Sequence, residues 1–185
     1  AKDLGKALGV RFLVRGKVER KGAEYSVTVS VVDAENDGVL KTATKDFPQG
    51  SVLHPDHHLI AGLIGSLRNR ALEAEADRAK RKRPEERDAR DLYFLAREAL
   101  GLEESNYAEA MDLLVKAQVL APDSWEILLE IAQMNLCDVC KWTPSQREAR
   151  RKVGIEALEK FLTKNPEHRM GQFWKAVNYQ HVGRY

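Results

Sequence analysis

Asn106–Pro122 reads NYAEAMDLLVKAQVLAP, and the organisation of the whole chain follows from it. Ala110 and Ala117 stand seven positions apart, close to two helical turns, so both fall on one face of an α-helix. Leu114 lies between them on that face. Small residues there let a neighbouring helix backbone approach closely, and the leucine fills what remains. Pro122 ends the helix, having no N–H to donate and a ring that clashes with the preceding turn. The stretch is therefore expected to be the second helix of a helix–turn–helix unit.

The same pattern recurs. Arg87–Leu100 supplies a first helix with Leu92, Tyr93, Ala96 and Ala99 facing inward, followed by a turn over Gly101–Ser105. Trp125–Leu136 starts a second unit with Leu128, Ile131 and Ala132, and Arg147–Thr163 pairs with it through Gly154, Leu158 and Phe161 before Pro166. The connection Cys137–Gln146 between them is long. A third unit begins at Arg169 and gives Trp174, Ala176, Tyr179, Gly183 and Tyr185, where the sequence stops without a second helix. With Tyr107, Ala110, Leu114, Ala117 and Pro122, this series resembles tetratricopeptide (TPR) repeats, whose period is about 34 residues. The rival is an unrelated helical bundle, which would share the apolar stripes but not the proline closing each unit.

The amino-terminal part is of another kind. Lys2–Leu8 has helical spacing and ends at Gly9, suited to a left-handed cap. A strand follows with Phe12, Val14 and Val18 on one face. Lys21-Gly22 marks a turn. Tyr25, Val27, Val29 and Val31 then alternate with Ser26, Thr28 and Ser30, the clearest two-residue period in the chain. Asn36-Asp37-Gly38 turns into a third strand, Val39–Phe47, giving an antiparallel meander with one face covered by helices. A long helix starting near Pro55 or Asp56 carries Leu59, Ile60, Leu63, Ile64 and Leu67 as a stripe over the sheet. It runs out in the polar stretch Arg78–Arg83 before Pro84. The expected domains are 1–83 and 84–185, and the expected class is α+β, a small antiparallel sheet with covering helices followed by an all-α solenoid.

Residues 3–75 carry a second resemblance. Leu8, Gly9, Val10, Gly16, Val32, Asp33 and Ala34 match the order and spacing of the TolB-like amino-terminal region that precedes TPR repeats in bacterial signalling proteins. That family normally has a further strand and helix first, which this sequence lacks. The resemblance implies a non-catalytic module, coupled in larger chains to nucleotide cyclase, kinase or DNA-binding domains. The sequence is accordingly expected to be cut from a longer protein.

Composition agrees with a packed core: 43% of residues are apolar and 31% charged. No apolar run reaches the length of about 18 residues that spans a bilayer, and no secretory signal opens the sequence. A cytoplasmic setting is expected, with a periplasmic or membrane-tethered one in a longer protein as the alternative. Residues 1–83 carry 16 basic and 11 acidic side chains, residues 84–185 carry 14 and 17, so the two parts differ in sign. Without a concentrated basic face, nucleic acid is not an expected partner.

Several clusters hold residue types capable of chemistry. Cys137 and Cys140 form a single C-x-x-C, half of a zinc site at most and without a βαβ setting for redox work; they are expected to be structural thiols, with a metal- or redox-active protein as the alternative. His54, His57, His58 and Asp56 (HPDHH) are expected to be a solvated start of a helix. Arg78–Arg83 is expected to be a solvated helix end, with a nucleic-acid-binding regulator as the alternative. There is no nucleophile–base pair and no glycine-rich phosphate loop, so neither catalysis nor a cofactor is expected of this region. Stacked repeats present a concave surface lined by first helices. Helical phase places Arg90, Arg97, Glu130, Gln133 and Asn178 on it as exposed residues that bind a protein or peptide. The unfinished third repeat is further expected to support a weak homodimer.

Overall fold

The computed structural model describes residues 1–48, 58–102, 106–136 and 143–182. Cys137, Cys140, His54, His57, Gly183 and Tyr185 lie outside them, as do the side chains of His58 and Tyr179. The described chain is α+β, an antiparallel sheet of three strands with helices, and it divides into two compact units, Ala1–Glu75 and Ala76–Tyr185.

The first unit opens with α1 (Lys2–Leu8), capped by Gly9 in the left-handed conformation, φ +63°. Strands β1 (Phe12–Lys21), β2 (Glu24–Asp33) and β3 (Gly38–Pro48) follow in the order β1-β2-β3. Gly22 at φ +63° makes the first turn. In the second, the side-chain oxygen of Asn36 accepts from the Gly38 N–H at 2.8 Å. Register sets the two faces. Val14 lies opposite Val31, Val18 opposite Val27, and Tyr25 opposite Phe47, which places the apolar residues together. The other face carries hydroxyl pairs, Thr28 with Thr44 at 3.0 Å and Ser30 with Thr42 at 2.8 Å. A β-bulge between Val31 and Val32 then lets both valines be buried.

Helix α2 (His58–Arg81) approaches the apolar face through Leu67, which is buried. Arg11 ties it down, giving Nη1 to Glu75 at 2.9 Å and Nη2 to Asp33 at 3.0 Å. The two carboxylates are almost wholly buried, so this guanidinium supplies the partner each needs. α1 packs closely as well, for a Cβ at Gly5 would stand 2.3 Å from that of Ala34.

The units divide between Glu75 and Ala76, earlier than the 83/84 position suggested by Pro84. Ala76 and Ala79, on the last turns of α2, are buried with Leu95 in a cluster of the second unit. After a 3-10 turn at Pro84–Glu86 come α3 (Ala89–Leu102), α4 (Tyr107–Leu120), α5 (Trp125–Leu136), α6 (Pro144–Lys164) and α7 (Arg169–Val182). α3 continues through Gly101, past the expected end at Leu100. α6 starts three residues ahead of the expected Arg147, because Thr143 and Gln146 form a reciprocal capping box with Pro144 in the first turn.

Packing in this unit is pairwise. α3 lies against α4 and α5 against α6; α5 also touches α4 and α7, and α7 touches α6. Ala110, Leu114 and Ala117 are fully buried, as the small–large–small spacing requires. In α6 Gly154, Leu158 and Phe161 are buried at the same spacing. α5 is covered almost all round, with nine consecutive or near-consecutive buried positions from Ile127 to Leu136. A helix apolar on every side belongs in the middle of a core.

Candidate partner-binding face of the helical unit

The residues proposed for recognition sit on α3, α5 and α7. α3 is fixed first, by a reciprocal cap. The Asp91 N–H donates to Asp88 Oδ1 at 2.9 Å, and the Asp88 N–H donates to Asp91 Oδ2 at 3.0 Å. Lys82 Nζ adds a contact of 2.5 Å to the same buried Asp91 carboxylate. That hydrogen bond raises the Lys82 ammonium above its ordinary range. Much of the basic stretch is spent in this way, on carboxylates of the helical unit: Arg78 reaches Asp91 at 3.8 Å and Lys80 reaches Glu98 at 2.6 Å.

Arg90 and Arg97 are two turns apart on α3, hence on one face. Arg90 is exposed and lies over the Phe94 ring at 5.4 Å, and Phe94 in turn meets Tyr93 edge-on at 5.4 Å. Arg97 Nη1 donates to Glu130 Oε2 at 2.6 Å, bridging α3 to α5. Of the five residues expected on the face, the structure thus brings Arg97 and Glu130 into direct contact. Glu130 is only 7% exposed, which corrects its reading as an exposed residue. Arg97 supplies the partner that a buried carboxylate in α5 needs. Gln133 and Asn178 are half-buried, also short of the exposure expected. Asn178 Oδ1, Arg97 Nε and Trp174 Nε1 are buried polar atoms that find no hydrogen-bond partner among the described residues.

Helical phase overlooked Met170 and Phe173. Both are exposed on α7, Phe173 at 53%, and Phe173 meets Trp174 edge-on at 5.3 Å. Their spacing with Trp174, i, i+3 and i+4, was the available signal. The neighbouring Gly171 is buried, where a Cβ would come within 2.5 Å of the Phe161 ring. α7 is therefore seated on α6 through Gly171, with Phe173 turned outward.

Chemically, α3 offers an exposed guanidinium beside aromatic rings, and α7 an exposed aromatic ring and thioether. Glu130, already neutralised, cannot also read a cation of a partner without giving up Arg97. Among the described residues no His, Cys, Asp and Glu group can hold a metal ion, and no helix is long and apolar enough to cross a membrane. Comparison with known proteins finds no matching family model, no matching curated protein and no matching solved structure.

Proposed function

We propose that the helical unit is a TPR-type solenoid binding a protein or peptide on the face of its first helices, α3, α5 and α7. Together with a TolB-like module at 1–75, it would be the non-catalytic interaction and sensory region of a larger bacterial signalling protein. One observation carries the reading. Two successive hairpins bury the same pattern, Ala110-Leu114-Ala117 ahead of Pro122 and Gly154-Leu158-Phe161 ahead of Pro166. A repeat that buries its face only against the next one is built this way. The salt bridge from Arg97 to Glu130, 33 residues on, adds a link at nearly one period.

The experiment is capture of a partner from the source cells by the immobilised chain. Arg90→Glu with Gln133→Ala is expected to abolish capture while leaving the circular dichroism spectrum unchanged. Undiminished capture by that folded double variant would refute this binding face.

A further inference from the structure

On the first unit, the described part of α2 leaves part of the apolar sheet face open among the described residues. Adjacent strands lie about 4.8 Å apart and a helix with its side chains is about 10 Å across, so one helix covers about two strands. Val14 and Val18 on β1 stay 68% and 61% exposed, and Ile64 on α2 is 58% exposed. Between them runs a groove of about 450 Å³. Its floor is Phe12, the valines of β1 and β2, and Phe47; its wall is Ile64, Leu67, Arg68 and Ala71 of α2. Exposed valines on one strand rarely need an explanation singly, but a contiguous apolar groove does.

Charge narrows the occupant. Among the described residues Arg68 is the one charged residue lining the groove, one helical turn from Ile64 on the same side of α2. On the same sheet face but across β2 from the open strand, and outside the groove lining, Lys41 lies opposite Val31 and Lys45 opposite Val27, both exposed. Arg68, Lys41 and Lys45 have no carboxylate partner among the described residues. An added strand would pair with the free side of β1 but would lie beside Val14 and Val18, leaving them uncovered. A helix laid alongside α2 covers them. α1 of a second copy exposes Leu4 and Leu8, yet with Lys2 and Lys6 against the single carboxylate of Asp3 it would bring net positive charge towards Arg68.

We propose that this groove docks an amphipathic helix of a partner protein, its apolar stripe on Val14, Val18 and Ile64 and its acidic flank against Arg68. The proposal is independent of the binding face on the helical unit.

Two fluorescein-labelled helical peptides of about 15 residues test it, each with a leucine stripe, one flanked by Glu and one by Lys. Anisotropy with the full chain is expected to show saturable one-to-one binding of the Glu peptide, at least about tenfold tighter than the Lys peptide. Val14→Asp, at an exposed position, should remove binding, and Arg68→Glu should reverse the preference. Methyl shifts on binding should appear at Val14, Val18 and Ile64. Equal affinity for both peptides, binding that survives Val14→Asp, or a preference unchanged in Arg68→Glu would overturn the proposal. So would sedimentation showing a dimer of the chain that Val14→Asp dissociates, for the occupant would then be a second copy.

Discussion

Arg97 Nη1 stands 2.6 Å from Glu130 Oε2, an ion pair between α3 and α5 set in a largely buried environment. Removing one member of such a pair leaves the other charge uncompensated, whereas replacing both with apolar residues is often tolerated. Arg97→Ala is expected to cost about 3 kcal/mol. Arg97→Met with Glu130→Leu should cost much less than the sum of the single changes. Urea melts followed by tryptophan fluorescence measure this cleanly, since Trp125, Trp142 and Trp174 all lie in the helical unit's sequence. Additive single-variant costs would mean that the two side chains act independently.

Gly154 tests how tightly α5 and α6 close. A Cβ there would stand 2.9 Å from Leu136 Cγ and 3.0 Å from Asn135 Cβ. Helix propensity favours alanine over glycine by about 1 kcal/mol, but overpacking typically costs about 1–3 kcal/mol. The net effect of Gly154→Ala is expected to be a loss of about 1 kcal/mol in thermal or urea unfolding. A stabilised variant would show that the two helices stand further apart. Ala117→Trp, at a fully buried position on α4, should be worse.

The alanine and glycine spacing was legible because a close helix–helix approach needs small side chains at fixed helical intervals, wherever the partner helix comes from. Tyr25, Val27, Val29 and Val31 were legible for the same kind of reason, as alternation is what a half-buried strand imposes. Glu130 was not. Phase alone put it on a binding face, and its burial depends on Arg97, which only the packing of two helices brings near. The unit boundary was obscured because Ala76 and Ala79 look unremarkable inside a charged run, although they are what α3 packs on. The start of α6 is readable in Thr143-Pro144-Ser145-Gln146, whose S/T-x-x-E/Q spacing is that of a capping box.

Arg11 should be the most sensitive position of the sheet unit. It contacts Asp33 and Glu75, both buried, and Glu35 at 3.6 Å. Arg11→Met keeps much of the stem but strands two buried carboxylates, at an expected cost of about 3–5 kcal/mol. Amide exchange should show β1 and β2 losing protection. Unchanged exchange there would mean that Asp33 and Glu75 find other partners.

Asp123 supplies a pH dependence. Its hydrogen bond with Lys164, and the charge of Lys164 and Lys160 beside it, hold its carboxyl below the ordinary carboxylate range. A carboxyl lowered on folding contributes stability above its unfolded value, about 3.9, and loses it as the pH falls through the lower folded value. Carbon-detected titration should find Asp123 below that ordinary value, and Lys164→Ala with Lys160→Ala should return it upward. A titration unaffected by removing both lysines would contradict the pairing.

The most direct measurement of the proposed recognition face is photo-crosslinking in the source cells, with benzoylphenylalanine placed at Arg90, at Phe173 or at Val119. Arg90 and Phe173 lie on the first helices α3 and α7, whereas Val119, 77% exposed, lies on the second helix α4. The expected result is one crosslinked product of the same mass increment from positions 90 and 173 and none from 119. A product from 119 with silence at 90 and 173 would contradict the account.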